Sequence, residues 1–487
     1  MVAIDPTKDY YEVLSVSPLA GETDIKQAYR DLARRLHPDT SDGDPDRFRV
    51  VQEAYEVLRD VALRTAYDRQ REMRGLSAQA PISIDMVLSR PAVPISTATQ
   101  MLYVWLSLKA TSELRPAQNR LNLALVIDRS NSMYGVRMQN VKMAVTDLVE
   151  SLHPEDRLAL IAFSDRAEVL APSMPAQDRR AFGAAIAALR PGGGTEIFQG
   201  LRAGLDEVQR YANATSINHV ILLTDGRTYG DEDAALTAAR SATAQGLGIS
   251  AFGIGEDWND DFLDALARYG GGVTHYIDSV KDVRNVLRNQ IQGLSGTLAH
   301  RLTLNLNLAP YARIQAIYRA APYMEVLGHS SSKPVALGRL VSGEPIEVVL
   351  ELLVEAQEVG ERRIARIDIE AEEAGSLRPM QLHQDVRITF KQNPEQHQVP
   401  PKLLNIISRL SVFQLQEKAW RALEQGDTRQ ATQYLEAVAT RLFDMGCREL
   451  GHAAMLEVGR LSQGSDPTGE GRKKLRYGTR ALTIPSK

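Results

Sequence analysis

The stretch that decides the fold is Leu121-Asn122-Leu123-Ala124-Leu125-Val126-Ile127, followed at once by Asp128-Arg129-Ser130-Asn131-Ser132. A short apolar run that ends abruptly in oxygen-bearing residues is typical of a buried strand in a parallel sheet. The carboxyl end of such a strand is where open α/β sheets bind ligands. Asp128, Ser130 and Ser132 therefore place three hard oxygens on one tight loop, which suits Mg²⁺ or Mn²⁺.

Two later stretches add oxygens to this loop. Pro191-Gly192-Gly193-Gly194-Thr195 is a glycine-rich loop that can deliver a hydroxyl over a distance. Val220-Ile221-Leu222-Leu223-Thr224-Asp225-Gly226 is a second apolar strand that ends in a carboxylate. Taken alone, the serines also fit a helix cap and the aspartate also fits a turn.

In order, spacing and context, Asp128, Ser130, Ser132, Thr195 and Asp225 resemble the metal-ion-dependent adhesion site of von Willebrand factor A (VWA) domains. The resemblance implies a bound Mg²⁺ or Mn²⁺ held by these five residues. It also implies that one coordination position stays open for a Glu or Asp carboxylate of a protein partner.

An N-terminal helical pattern surrounds His37-Pro38-Asp39. Ile25, Ala28, Tyr29, Leu32 and Leu36 follow helical spacing, and the proline must stop that helix. With Asp9-Tyr10-Tyr11-Glu12-Val13-Leu14 before it and Ala54-Tyr55-Glu56-Val57-Leu58 after it, the unit is similar to the J-domain of DnaJ-type co-chaperones. Ser15 departs from the family, which has glycine there.

The J-domain resemblance implies that His37, Pro38 and Asp39 act on a DnaK-type chaperone. It also assigns the basic helix face of Lys26, Arg30 and Arg34 to docking on an acidic surface of that chaperone, where such charges set encounter rate and orientation. By their residues alone, the His-Pro-Asp stretch also fits a simple helix stop and the basic face also fits a solvated surface.

The composition predicts a soluble cytoplasmic protein. A formal net charge of −4 gives no general attraction to nucleic acid or anionic membrane. The single cysteine, Cys447, fits a reducing compartment. The first residues lack the features of a signal peptide, and no apolar run approaches the roughly 20 residues needed to span a bilayer.

The fold class follows from the periodicity along the rest of the chain. Strands alternate with helices from residue 119 to 295, which predicts a doubly wound α/β domain. Strand patterns of period two before and after it predict one antiparallel β-sandwich into which this domain is inserted, an architecture that also resembles the integrin β headpiece. The predicted boundaries are 8–72 for an all-α J-domain, 73–82 for a linker, 83–118 and 296–393 for the sandwich, 119–295 for the VWA domain, 400–461 for a helical domain and 462–487 for a flexible basic tail.

Two charged segments have two interpretations each. The acidic run Glu256-Asp257-Trp258-Asn259-Asp260-Asp261 predicts a helix start, with a second cation site as the alternative. The basic residues after 462 predict a solvated tail, with docking onto the acidic body as the alternative.

These features favour a non-enzymatic adaptor: the J-domain recruits and stimulates a DnaK-type chaperone, and the VWA domain binds a protein partner through its metal. The alternative is the VWA subunit of a metal-chelatase-like ATPase machine, or a metal-dependent phosphohydrolase. A hydrolase needs a general base near the metal, and no histidine lies directly beside Asp128, Thr195 or Asp225 in sequence. The chain also lacks a phosphate-binding Gly-x-x-x-x-Gly-Lys-Ser/Thr loop, so a chelatase role requires a separate ATPase.

Overall fold

The computed structural model describes residues 8–14, 16, 22–36, 45–60, 63–68, 81–95, 98–111, 119–228, 230–279, 282–355, 357–375, 378–394 and 397–482. The chain divides into two compact units, Met1–Ser83 and Ile84–Lys487, and each is presented by itself. Within the described ranges, no helix has both the length and the apolar character needed to cross a membrane.

In its described residues, the first unit contains four helices: α1 (Tyr10–Val13), α2 (Glu22–Leu36), α3 (Pro45–Arg59) and α4 (63–68). Its core is built from Tyr10, Ile25, Ala54 and Tyr67 with their apolar neighbours. Tyr67 fixes the first helix because its hydroxyl accepts a hydrogen bond from the Tyr10 amide at 2.9 Å. The predicted amphipathic J-domain helices are therefore present.

Three strands come first in the described part of the second unit: β1 (Ile82–Leu88), which starts two residues before the division at Ile84, β2 (Ala92–Pro94) and β3 (Gln100–Ala110). The α/β domain follows. Its strands are β4 (Arg120–Asp128), β5 (Arg157–Phe163), β6 (Ala167–Pro175), β7 (Ser216–Thr224), β8 (Leu247–Ile254) and β9 (Gly271–Ile277). Its helices are α5 (Val136–Ser151), α6 (Arg179–Ala188), α7 (Ile197–Gln209), α8 (Glu232–Ala244), α9 (Asp260–Tyr269) and α10 (Val283–Ser295).

The six strands form one sheet in the order β6-β5-β4-β7-β8-β9. All neighbours are parallel except β5 and β6, which pair antiparallel at one edge. Residues of β4 alternate between two cores: Leu123 and Leu125 face the side of α5 and α10, and Ala124 and Val126 face the side of α7 and α9. The near-continuous apolar run of β4 reflects this burial on both faces.

The sandwich is completed after the α/β domain by seven strands: β10 (Thr297–Leu308), β11 (Ala312–Ala321), β12 (Glu325–Gly328), β13 (Val335–Val341), β14 (Ile346–Val354), β15 (Gly360–Glu373) and β16 (Pro379–Lys391). One sheet has the order β1-β3-β14-β11-β12 and the other β13-β10-β15-β16-β2. Each sheet thus contains strands from both sides of the α/β domain, which confirms the predicted insertion. The entry and exit points are held together because Asn119 Nδ2 donates to the Thr297 carbonyl at 2.5 Å.

Four helices end the described chain: α11 (Pro401–Glu424), α12 (Thr428–Asp444), α13 (Arg448–Ser462) and α14 (Gly469–Arg480). The first half of α11 covers one sandwich sheet, since Leu403, Ile406 and Leu410 pack with Trp105 and Val349. The second half joins α12, α13 and α14 in a separate core.

The prediction of a flexible tail from residue 462 is wrong for residues 469–480. They form α14, in which Lys473, Leu475 and Thr479 are buried. The segment looked like a tail because its composition is basic and glycine-rich. Three of its arginines, Arg472, Arg476 and Arg480, in fact pair with Asp260, Asp261 and Asp264, so the alternative interpretation, docking onto the body, is the correct one.

Candidate metal-binding site

The candidate site lies where two central parallel strands end. Asp128 is the last residue of β4, and Asp225 directly follows β7, its hydrogen-bonded neighbour. The chain order of the strands reverses between β4 and β7, because β5 and β6 extend to one side and β8 and β9 to the other. This reversal leaves a crevice at the carboxyl ends of the strands, the common ligand position in open α/β sheets.

Asp128 is fully buried and is fixed by two hydrogen bonds. Its Oδ1 accepts from the Ser130 amide at 2.8 Å, and its Oδ2 accepts from the Thr224 hydroxyl at 2.6 Å. Burial is the main cause of its raised pKa, about 6, although the hydrogen bonds from Ser130 and Thr224 oppose the shift. A positive charge beside this carboxylate would stabilise the ionised form.

Ser130, Ser132 and Asp225 form a continuous line of oxygens. The Ser130 and Ser132 hydroxyl oxygens are 2.9 Å apart, and Ser132 Oγ donates to Asp225 Oδ1 at 2.6 Å. The two serines can converge because a short 3₁₀ helix, Asn131–Met133, turns the chain directly after β4. The structure therefore brings together oxygens that are 93 residues apart in sequence.

Thr195 reaches the same crevice from the glycine-rich loop. A Cβ placed on Gly226 would lie 3.1 Å from Thr195 Oγ1, so this hydroxyl is next to the residue that follows Asp225. Two backbone hydrogen bonds tie the loop to the β4 loop, from the Asn131 amide to the Gly193 carbonyl at 3.1 Å and from the Gly192 amide to the Arg129 carbonyl at 2.7 Å. Gly193 has a φ of +92°, a conformation that most other residues resist. All five predicted residues thus lie at one edge of the sheet.

The donor set fits a hard divalent cation. It consists of two fully buried carboxylates and three hydroxyls, all of them oxygen donors of the kind that Mg²⁺ and Mn²⁺ prefer. Two buried carboxylates close together repel each other, which a divalent ion would relieve. Among the described residues, no cluster of three or more His, Cys, Asp or Glu side chains is arranged for a metal, so a transition-metal site of that kind is not seen there.

Sequence reasoning missed two residues of this site. Thr224 buries its hydroxyl against Asp128, and Arg137 Nη1 donates to Asp225 Oδ2 at 2.6 Å and to the Ser132 carbonyl at 3.2 Å. The signal for Thr224 was the strand register: Ile127 pairs with Leu223, so the next residues, Asp128 and Thr224, must be neighbours. The signal for Arg137 was its place in the first turn of α5, because the helix dipole disfavours a cation there unless an anion faces it.

The residues assigned to chaperone docking are only partly described. Lys26, Arg30 and Arg34 lie on the exposed face of α2, opposite the buried Ile25. His37, Pro38 and Asp39 lie outside the described residues. The basic face is therefore accessible to a partner.

The acidic run after β8 begins a helix, as the sequence predicted. Asn259 caps α9 by accepting a hydrogen bond from the Phe262 amide. The carboxylates of Asp260, Asp261 and Asp264 pair with Arg476 of α14 at 2.7, 2.7 and 3.1 Å. They are thus engaged by arginine, which removes the reason to place a second cation there.

Comparisons with known proteins assign these parts. A DnaJ domain model matches residues 9–68, a von Willebrand factor type A domain model matches residues 122–291, and a model described as "Sll0103-like, C-terminal alpha-helical domain" matches residues 401–485. The chain therefore carries a DnaJ domain and a VWA domain, as the sequence analysis predicted.

The relatives cover different parts of the chain. The uncharacterized protein sll0103 of Synechocystis sp. is 26% identical over 412 residues, which are 83% of this chain and 98% of that protein. The chaperone protein DnaJ of a Cyanothece species is 52% identical over 64 residues, 13% of this chain and 17% of that protein. Among solved structures, a von Willebrand factor type A protein from Catenulispora acidiphila matches with a TM-score of 0.68 at 18% identity, covering 83% of this chain and 97% of that one. This last likeness supports the fold of the larger unit.

Proposed function

We propose that the protein is a co-chaperone adaptor: its DnaJ domain recruits and stimulates a DnaK-type chaperone, and its VWA domain binds a protein partner through Mg²⁺ or Mn²⁺. A DnaJ domain implies a chaperone partner of the DnaK class in general, and the DnaJ and VWA modules together support an adaptor of a general kind. The observation that carries the proposal is the convergence of the Asp128, Ser130, Ser132, Thr195 and Asp225 oxygens at the carboxyl ends of β4 and β7.

The charge of the site supports reversible binding of a carboxylate. Asp128 and Asp225 supply two negative charges and the hydroxyls are neutral, so a bound divalent ion would be roughly balanced before a partner arrives. A partner carboxylate would then be attracted to the ion without a large excess of positive charge to trap it. In this proposal the ion's role is to bridge the site and that carboxylate.

Two measurements test the two halves separately. For the VWA half, the full chain is used to capture partners from a lysate in Mg²⁺, with and without chelator, beside Asp225→Ala. Capture that chelator and Asp225→Ala both abolish supports the metal-dependent contact. Capture that survives both treatments would show that partner binding does not use this site.

For the DnaJ half, steady-state ATP hydrolysis by a DnaK-type chaperone is measured with the wild-type chain and with His37→Gln. Stimulation by the wild type and its loss in the variant are the expected results. Asp225→Ala is the matched control and should stimulate normally, because Asp225 belongs to a separate compact unit with its own core. Phosphatase activity that requires Asp128 would favour the metal-dependent hydrolase instead.

A further inference from the structure

We propose that Arg137 is a built-in counter-cation of the metal site, which pairs with Asp225 when no ion is bound and competes with the divalent ion for that carboxylate. The inference rests on the proposed function, because it concerns the affinity of the same site for its metal. It assigns to Arg137 the role of a residue that sets the metal concentration at which the site becomes occupied.

The first observation is the direct pairing. Arg137 Nη1 lies 2.6 Å from Asp225 Oδ2, and the carboxylate is completely buried whereas a third of the arginine side chain is exposed. The other oxygen of the same carboxylate, Oδ1, accepts from Ser132 Oγ at 2.6 Å. Both oxygens of Asp225 are therefore engaged, one by a cation and one by a predicted metal ligand.

The second observation is the position of Arg137 on its helix. Arg137 lies in the first turn of α5, where the exposed amides already create positive potential. A cation there is unfavourable unless an anion faces it, and Asp225 is that anion. A divalent ion among the same oxygens would add two more positive charges at this point, so the ion and the guanidinium repel each other.

The third observation is that Arg137 has room to leave. About a third of the Arg137 side chain is already exposed to solvent, and the neighbouring Tyr134 and Val136 are exposed as well. The guanidinium can therefore move toward solvent while its helix stays in place. Movement of one surface side chain costs less than displacement of the buried Asp128 or Asp225.

The test measures Mn²⁺ binding by the full chain, from the loss of the free-ion magnetic resonance signal, for the wild type, Arg137→Ala and Arg137→Lys. Arg137→Ala should bind Mn²⁺ at least about tenfold more tightly, which corresponds to about 1.4 kcal/mol. Arg137→Lys keeps the charge and should fall between the two. Arg227→Ala is the matched control, because Arg227 is a nearby exposed arginine whose Nε donates to the Asp257 carbonyl and not to a site carboxylate; it should change the affinity less than threefold.

Melting temperature supplies a readout that a merely structural role would not produce. In chelator, Arg137→Ala should melt below the wild type, because it leaves the buried Asp225 without its cation. In saturating Mn²⁺ the difference should shrink or reverse, because the ion then replaces the arginine.

The outcomes separate this inference from the proposed function. Equal Mn²⁺ affinity of the wild type and Arg137→Ala, with both binding, would overturn the inference and leave the metal site intact. Binding by the variant alone would support the inference strongly, since the arginine would then block the site. No binding by any variant would overturn the metal site and the inference together.

Discussion

The docking of α14 onto α9 makes a prediction about the larger unit: Arg476→Met should loosen this helix. The Arg476 side chain is only 11% exposed, and it contacts Asp260 and Asp261 at 2.7 Å and Asp264 at 3.1 Å. Burial alone would raise the pKa of Asp260, but Arg476 and Arg472 hold it below its usual value. Methionine retains most of the apolar stem of arginine, so the substitution removes mainly the charge.

The size of the expected loss in docking free energy depends on which carboxylates lose a partner when Arg476 is replaced. Removing one member of a buried ion pair costs about 3–5 kcal/mol, whereas an exposed pair contributes about 0–1 kcal/mol. Asp261 is 61% exposed and adds little. Asp264 keeps Arg480 at 2.7 Å, so the main loss falls on Asp260, which keeps only the longer contact with Arg472 at 3.5 Å. We therefore expect a loss of about 2–3 kcal/mol in the free energy of α14 docking.

Hydrogen exchange of peptides covering residues 469–480 measures this loss directly. A change of about 2–3 kcal/mol corresponds to exchange that is roughly 30- to 150-fold faster. Lys474→Ala is the matched control, because Lys474 is an exposed cation of the same helix. Exchange in Arg476→Met that stays within a few-fold of this control would refute the reasoning.

Three further predictions concern other parts of the chain. Burial and, secondarily, Arg339 lower the pKa of His219 well below its usual value, so on acidification the unfolded chain binds the proton before the folded chain does. The free energy of unfolding should therefore fall as the pH drops below about 6.5. Urea unfolding at pH 7.5 and 5.5 measures this fall, which should be smaller in His219→Gln. Mg²⁺ or Mn²⁺ at a hundredfold excess over its dissociation constant should stabilise the fold by about 2.7 kcal/mol, visible as a higher melting temperature, and Asp128→Ala should abolish the shift. Deleting residues 1–75 should leave a cooperatively melting protein, whereas deleting 1–112 removes β3 and exposes the edge of β14, so light scattering should report aggregation.

The parts of the fold that sequence could predict were those with strong local periodicity. β4 and β7 are apolar on both faces; β4 ends in Asp128, and Asp225 directly follows β7, so their place in a parallel sheet and the position of the candidate site followed from the pattern. The sandwich strands β2, β11, β12 and β13 were not predicted, and neither was the antiparallel edge strand β6. Burial in β6, β12 and β13 is partial or irregular along the strand, so their hydrophobic pattern is weak.

Residues that act through tertiary contacts were harder to predict. Arg137 is five residues from Ser132, but its partner Asp225 lies 88 residues away, and only the folded sheet brings them together. Likewise, the basic composition of α14 was visible in the sequence, whereas its burial depends on carboxylates more than 200 residues earlier. Charge complementarity indicated that docking was possible, but it did not indicate which segment would form an ordered helix.

The proposed adaptor depends on having the DnaJ and VWA modules in one chain. The DnaJ domain has its own core and the VWA domain has another, so each can act without the other. In the proposed adaptor, covalent linkage makes delivery of a bound partner an intramolecular event, which strengthens the overall association without any new contact. Under that proposal a weak, rapidly exchanging carboxylate contact is enough to deliver the partner, and the proposed competition between Arg137 and the ion would set the metal concentration at which this contact forms.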